Sequence, residues 1–488
     1  MASHPPDQSM GKTAIRGSIY SIAASAVTIL LGFARAVLLA RLLLPEHFGV
    51  ATLALFFLNL STTLTALGLD SAIIHRQDAD DAWLDTYFTL RLLANLIPLG
   101  ALALLTPLIA RAYPAMPALA PVLWAFIAIE AIRSINASQE TLLNRALAFR
   151  ALALLDISAS IAMTICAPLA AWWGAGIWAL VVERAAGHAV RTVGVWWLFR
   201  TYQPRLRWDG EKARWFWRFS RAVWLSTNLN FLLDRFDDFW TGTFLGKTPL
   251  GYYSKAYEFA RYPRRLVANP IVSVFYPIFA RLQHDPIRLA RAFFRMNSAI
   301  VRFGFWFGIL FIFNANEFVR LFIGERWLPM VPTFQLMIVY VILDPLVVGA
   351  NRLLLAVGRP EEVTRVRLVQ LGCFVPLVAL LGSRFGIEGV ALAADIMVLV
   401  GTLLLFIATR RIITYSLRVL FFWPAVAVAL AALTLWLTAA WWQTFPTWGS
   451  LAGKTVLGTL LYGLILWLAE RHELIEAWRI IKRRGWTA

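Results

Sequence analysis

The sequence predicts an all-α polytopic membrane protein with about 14 transmembrane helices, and three observations carry that prediction. The first is composition. Of 488 residues, 59% are hydrophobic, including 22 Trp and 33 Phe, and only 15% are charged, against roughly 25% in soluble domains. The second is length. Apolar windows fall near 18–40, 48–69, 86–110, 117–139, 151–172, 175–199 and 222–244, then near 251–280, 296–322, 331–356, 366–383, 387–409, 419–441 and 450–469. Most are close to the about 20 helical residues that cross a hydrocarbon core. The third is a charge bias. With the N-terminus in the cytoplasm, loops and helix ends on that side hold 27 Lys and Arg, and the opposite loops hold five: Arg41, Arg111, Lys247, Arg326 and Arg384. The positive-inside rule then places both termini in the cytoplasm.

The net charge of +18 does not indicate nucleic acid, because the basic residues sit beside apolar segments, where anionic lipid accounts for them. Loops are too short for a separate soluble domain, which starts at roughly 50 residues, so the function lies within the membrane. Cys166 and Cys373 are far apart in apolar windows and suggest neither a disulfide framework nor a metal pair. The polar start precedes a full-length apolar run without a small-residue cleavage site, as expected for a cytosolic tail and a retained helix.

The first two windows form a module. The stretch Arg41-Leu-Leu-Leu-Pro-Glu-His-Phe-Gly49 is an elbow, because Pro45 stops one helix and Gly49 lets the next start close by. Before it, Ser21, Ser25, Thr28, Gly32 and Arg35 recur at helical spacing and share a face. A shift of 202 residues lays Ser18 onto Ser220, Arg35 onto Asp237 and Gly49 onto Gly251. That weak internal repeat predicts two related halves, a common transporter plan. The basic stretch from Arg200 to Arg221 falls where a linker between the halves belongs.

Charges inside the windows form further stripes. Glu130, Arg133 and Asn136 step by three. Glu183 adjoins Arg184, His188 and Arg191. Asn230, Asp234, Asp237 and Asp238 follow, with Arg235 expected to turn away, and Glu258, Tyr262, Arg265 and Asn269 share a face. Asp344 and Arg352 add a later pair. Side chains near window ends, such as Arg91, Arg191, Arg320 and Lys454, suit snorkelling or helix packing. A charge in mid-membrane is costly unless solvated or paired, so Arg35, Asp237 and Arg265 point to function. Guanidinium forks suit phosphate oxygens, and the candidate anion-binding set is Arg35, Ser25, Thr28, Arg133, Arg184 and Arg265. The three acids Asp234, Asp237 and Asp238 crowd one turn, where like charges disfavour full ionisation. They read either as a site that takes up a proton or sodium ion, or as partners that neutralise Arg235, Arg265 or Arg35.

Other patterns fail on context. Gly174-Ala-Gly176-Ile-Trp-Ala179 fits the dinucleotide fingerprint, but sits in a turn between helices with no preceding strand. Gly11-Lys12-Thr13 lacks the upstream glycine of a phosphate loop. Metalloprotease and hydrolase signatures are missing and the six histidines are scattered, so no catalytic residue, metal or cofactor is assigned and the chain does not read as an enzyme.

Several segments carry a resemblance. They are the basic tail before Ser18-Ile-Tyr-Ser21, Leu39 to Gly49, Gly68-Leu-Asp-Ser-Ala-Ile-Ile74, and Leu250-Gly-Tyr-Tyr-Ser-Lys-Ala256. Val274-Phe-Tyr-Pro277, Ala280-Arg-Leu-Gln283 and Phe322-Ile-Gly-Glu-Arg-Trp327 extend it. In these the chain resembles the Wzx-type oligosaccharide-lipid flippases of polysaccharide biosynthesis, within the multidrug, oligosaccharidyl-lipid and polysaccharide exporter superfamily. The resemblance implies two pseudo-symmetric six-helix lobes (1–199 and 222–410) joined by a cytoplasmic linker (200–221), and two added helices with a basic tail (411–488). It also implies a central cavity in which an undecaprenyl-diphosphate-linked oligosaccharide is flipped by alternating access for lipopolysaccharide or exopolysaccharide synthesis. A proton or sodium gradient would drive it, and a polysaccharide polymerase would be its downstream partner. A multidrug antiporter of the same superfamily, expected to have a more acidic cavity, is the alternative. A membrane-embedded glycosyltransferase or polymerase would need a long external loop that this chain lacks.

Overall fold

The computed structural model describes residues 8–65, 68–76 and 78–483; side chains at 8–19, 21–22, 220–223 and 472–483 lie outside the description, among them Ser18, Ser21 and Ser220. Described residues form helices and no strand. The helices are α1 (Gln8–Leu42), α2 (Pro45–Leu64), α3 (Leu69–His75), α4 (Asp81–Ala112), α5 (Leu119–Arg145), α6 (Phe149–Trp172), α7 (Trp178–Val193), α8 (Gly210–Phe244) and α9 (Lys247–Ala260). They continue as α10 (Asn269–Arg281), α11 (Pro286–Phe318), α12 (Val331–Leu336), α13 (Ile338–Ala356), α14 (Pro360–Arg410), α15 (Leu417–Leu437), α16 (Ala439–Trp442) and α17 (Thr447–Arg483).

Every one of the fourteen apolar windows falls on a helical segment, and ten of the described helices are long and apolar enough to span a membrane. The difference has three sources. Gly386 (φ 60, ψ −140) breaks α14 into two arms that return on each other, as the Gln370 amide donating to the Met397 carbonyl at 3.1 Å shows. The segments α8 and α9–α10 carry too many charges to register as apolar, and α7 is short.

The chain packs as two compact units. One is Met1–Lys255 with Val378–Ile387, and the other is Ala256–Leu377 with Glu388–Ala488. Connectivity and packing therefore differ in where α8 belongs, since its contacts place it in the first unit.

Both elbows of the first unit have the same build. The first joins α1 to α2 through two residues, and the second joins α8 to α9 through two residues at the same 202-residue offset. Pro45 opens α2, where a missing N–H is harmless, and Gly246 turns the second elbow at φ 96. The elbows then meet backbone to backbone. A Cβ on Gly49 would collide with the Lys247 carbonyl, and one on Gly251 with the Pro45 carbonyl. Because 45 and 247 are themselves repeat partners, the contact is reciprocal. Lys247 also pairs with Glu46 at 2.8 Å, and Phe56 stacks on Phe239 at 4.8 Å just inside.

The stretch between α7 and α8 is strapped to the first unit. Tyr202 donates to Asp85, the Arg205 N–H to the same carboxylate at 3.0 Å, and the Arg207 N–H to Thr89 at 3.0 Å. Gln139 accepts from the Thr201 hydroxyl at 2.8 Å. Asp209 caps α8, and its hydrogen bond from Lys212 holds the carboxyl below its ordinary value.

The second unit is built on an aliphatic and aromatic core around Phe293, Met296, Leu346, Leu353 and Phe406. Its C-terminal helices are attached by polar contacts. Arg302 grips Glu470 with two bonds of 2.8 Å, and Lys454 pairs with Glu317 at 2.5 Å. Trp172, Trp173, Trp197, Trp436 and Trp448 lie exposed near helix ends, as in an interfacial aromatic belt.

Candidate functional site: a charged seam in the first unit

The charged side chains of α1, α5, α6 and α7 meet along one seam, because their three- and four-residue spacing puts each set on one helix face. From α1, Arg35 Nε reaches Glu183 at 2.8 Å and its Nη1 donates to Thr164 at 3.3 Å. On α5, Glu130 is buried and accepts from Arg133 Nε at 2.7 Å. Its other oxygen lies 4.0 Å from Arg184, whose guanidinium sits 5.5 Å from the Phe126 ring. One carboxylate thus serves two guanidinium groups. Arg191 takes Asp156 and, at 3.4 Å, Glu140, and Arg91 takes Asp70 beside the Tyr87 hydroxyl. Five arginines and five carboxylates are matched here without a separate aqueous domain.

The candidate residues divide by what they touch. The side chains of Arg133 and Arg184 remain 38% and 29% accessible, while that of Arg35 is 15% accessible. Of the candidate arginines in the seam, Arg133 and Arg184 are therefore more open than Arg35, which is held between α6 and α7, and Arg191 is 27% accessible. Ser25 is exposed on α1, and Thr28 returns its hydroxyl to the Ser25 carbonyl at 3.0 Å. Asn136 bridges Thr192 and the Trp196 indole at 2.5 and 2.7 Å, a packing role. His188 leaves a buried Nδ1 with no hydrogen-bond partner.

The acids of α8 do not form one cluster. Asp234 is exposed, whereas Asp237 and Asp238 are buried. Asp237 accepts from Tyr253 at 2.6 Å and from the Asp238 N–H at 2.9 Å. Asp238 pairs with Arg235 at 3.0 Å. Arg235 was expected to turn away; a three-residue separation instead brings it beside Asp238. Arg35 and Asp237 belong to the same unit and do not pair with each other.

Arg265 belongs to the second unit. A π-turn at Arg264–Ala268 displaces the helical register, so Glu258, Tyr262, Arg265 and Asn269 do not keep one face. Arg265 is exposed with its guanidinium 5.7 Å from the Tyr262 ring, and Arg264 takes the inward position, pairing with Asp344. Sequence periodicity had no signal for that turn. It also missed Lys255, which is buried with its ammonium 4.1 Å from the Phe48 ring.

A multi-pass helical membrane protein, with paired elbows and an arginine-rich seam, is the class that this structure defines. Solved structures with the same fold include the lipid II flippase MurJ in an inward closed conformation, at a TM-score of 0.73 and 14% identity over 94% of this chain and 100% of that one. An inward-facing multidrug resistance transporter of the MATE family is similar at a TM-score of 0.61 and 16% identity, over 81% and 98%. The chain belongs to the family described as polysaccharide biosynthesis protein, whose model matches residues 38–332. It is 26% identical to the lipopolysaccharide biosynthesis protein WzxC of Escherichia coli strain K12, over 84% of each chain. It is 27% identical to the succinoglycan biosynthesis transport protein ExoT of Rhizobium meliloti strain 1021, over 60% of each.

Proposed function

We propose that this chain is a transporter, not an enzyme, and flips undecaprenyl-diphosphate-linked oligosaccharide repeat units across the bacterial inner membrane by alternating access. The observation that carries the reading is Glu130, one buried carboxylate shared by two accessible arginines. Two guanidinium groups on one carboxylate leave local positive charge, and a diphosphate offers more acceptor oxygens than the glutamate it would displace. Arg133 and Arg184 then hold the diphosphate, and Arg35 with Glu183 fixes the helices on either side. The prenyl tail stays in lipid. Family membership and the transport proteins among the relatives support the substrate class.

The test is polysaccharide export in cells that lack the native chain. Arg133→Ala with Arg184→Ala should abolish export while the protein still inserts at normal level, and the two lysine replacements should restore only part of it, since lysine lacks the fork. Full export by the double alanine variant would overturn the reading.

The lobe division at 200–221 and the cytoplasmic placement of both termini belong to the same proposal. With Cys166 and Cys373 removed, single cysteines at Thr248 and Gly449 should react with an impermeant thiol reagent from outside. Cysteines in the 200–221 stretch should stay protected. The reverse pattern would invert the topology. Coupling to a proton or sodium ion through Asp234, Asp237 and Asp238, and hand-over to a polymerase, extend this proposal.

A further inference from the structure

We infer that the strap joining α7 to α8, together with the first turns of α8, is a docking surface for the anionic phospholipid headgroups of a bilayer, independent of the flippase reading. The stretch lies between the apolar windows 175–199 and 222–244, at a boundary between membrane and water. Residues 200–219 hold six Lys and Arg and two acids, a net of +4. Asp209 is spent on Lys212 and on the α8 cap. Arg200, Arg205, Arg207, Arg214 and Arg218 are exposed and have no ion pair among the described residues.

The positive-inside rule asks only for charge, and the strap has two features beyond that. Its backbone is fixed. The N–H groups of Arg205 and Arg207 donate inward to Asp85 and Thr89, while the side chains from Arg205 to Trp208 are all exposed, Leu206 at 74% and Trp208 at 59%. The start of α8 is also sided. Trp215 and Phe216 pack on Trp83, with ring centroids 5.3 and 5.7 Å away. Arg214, Trp217 and Arg218, at spacings of three and four, share a face and are exposed. Glu211 is the acid of that face, outnumbered by its two arginines.

Guanidinium groups and indoles interleaved on one fixed surface suit a layer that is anionic at one depth and apolar just below. A phosphodiester offers the fork two oxygens, and indole rings settle at headgroup level. An acidic protein would match the arginines and leave Leu206, Trp208 and Trp217 without an apolar partner. The bilayer satisfies both sets, and it already borders the stretch at the ends of its two windows.

The full-length protein in detergent, exposed to equal phosphatidylglycerol and phosphatidylcholine, is to be weighed intact by native mass spectrometry. Wild type should retain phosphatidylglycerol over phosphatidylcholine by about three-fold or more. Arg207→Gln with Arg214→Gln and Arg218→Gln should lose at least half of the bound phosphatidylglycerol at an unchanged melting temperature, because all three side chains are exposed. The matched control is Arg281→Gln with Arg291→Gln and Arg295→Gln, three exposed arginines of the second unit in a stretch without tryptophan. It removes the same charge and should keep nearly all of the lipid. Trp208→Ala with Trp217→Ala should lower both lipids together. Equal losses in the two triple variants would overturn the inference and leave only diffuse charge. Equal retention of the two lipids by wild type, or a tryptophan variant that binds as wild type does, would overturn it as well.

Discussion

The two helical units use charge in different ways. In the first, ion pairs run through the interior of the helix bundle, and Glu130 serves two arginines at once. In the second, charges act as fasteners. Arg302–Glu470 and Lys454–Glu317 tie α17 to α11, and Arg264–Asp344 ties the π-turn to α13, beside a hydrocarbon and aromatic core. Close helix contacts differ too. Gly49 and Gly251 at the elbow face backbone carbonyls, whereas Gly187 and Gly194 elsewhere in the first unit, and Gly349 and Gly308 in the second, face side-chain ends. Side-chain ends can move and a carbonyl in a helix start cannot. The first unit is therefore rigid at its elbow and has a seam in which one carboxylate is shared, whereas the ion pairs of the second each join one cation to one acid.

The elbow should give the largest effect. Gly49→Ala or Gly251→Ala puts a methyl onto a carbonyl, a strain above the about 1–3 kcal/mol of ordinary overpacking. Folded protein should be lost from the membrane fraction. Gly349→Ala meets the Met296 methyl instead, and should lower the melting temperature only slightly. Equal behaviour of Gly49→Ala and Gly349→Ala in a thermal-shift assay would erase the distinction between the units.

Replacing whole pairs separates fasteners from function. Removing one partner of a buried pair costs about 3–5 kcal/mol, while an apolar pair of similar volume is often neutral. Arg302→Met with Glu470→Leu should thus recover both stability and export relative to Arg302→Ala. Arg184→Met with Glu130→Leu should recover stability relative to Arg184→Ala but not export. Export by the second double variant would reduce the seam to scaffolding.

Much of this was legible in the chain, for particular reasons. Fourteen apolar windows all coincide with helix because hydrocarbon length leaves few alternatives. The repeat was legible through Pro45, Gly49 and Gly251, since an elbow needs unusual residues at fixed offsets. Residue types in the seam were readable from helical spacing, but their partners were not. Glu183 and Arg184 differ by one position, yet one takes Arg35 and the other approaches Glu130. That choice depends on which helix lies opposite, which periodicity does not encode. Arg264 and Arg265 were exchanged for a related reason. A π-turn shifts the face by most of one residue, and nothing in Arg264-Arg-Leu-Val-Ala268 announces it.

The smallest expected effect concerns Asp237, which like Asp85 is a buried acid of the first unit with a tyrosine hydroxyl as its partner in place of an arginine side chain. Each arginine of the seam has a carboxylate partner, Arg133 and Arg184 sharing Glu130, and none of them pairs with Asp237. It lies on α8 and is bonded to Tyr253 on α9, across the second elbow, where a change in its charge would alter the contact between the two helices. If it takes up the coupling ion, Asp237→Asn should flatten the dependence of transport on pH and sodium in vesicles. Binding of lipid-linked substrate should stay within about two-fold, because the seam is untouched. Tyr253→Phe should shift that dependence without removing it, since the carboxylate remains. If the bond serves only to brace the elbow, both variants should lower the melting temperature and leave the gradient dependence as in wild type. That second pattern would remove Asp237 from coupling and make it one more fixture of the rigid elbow.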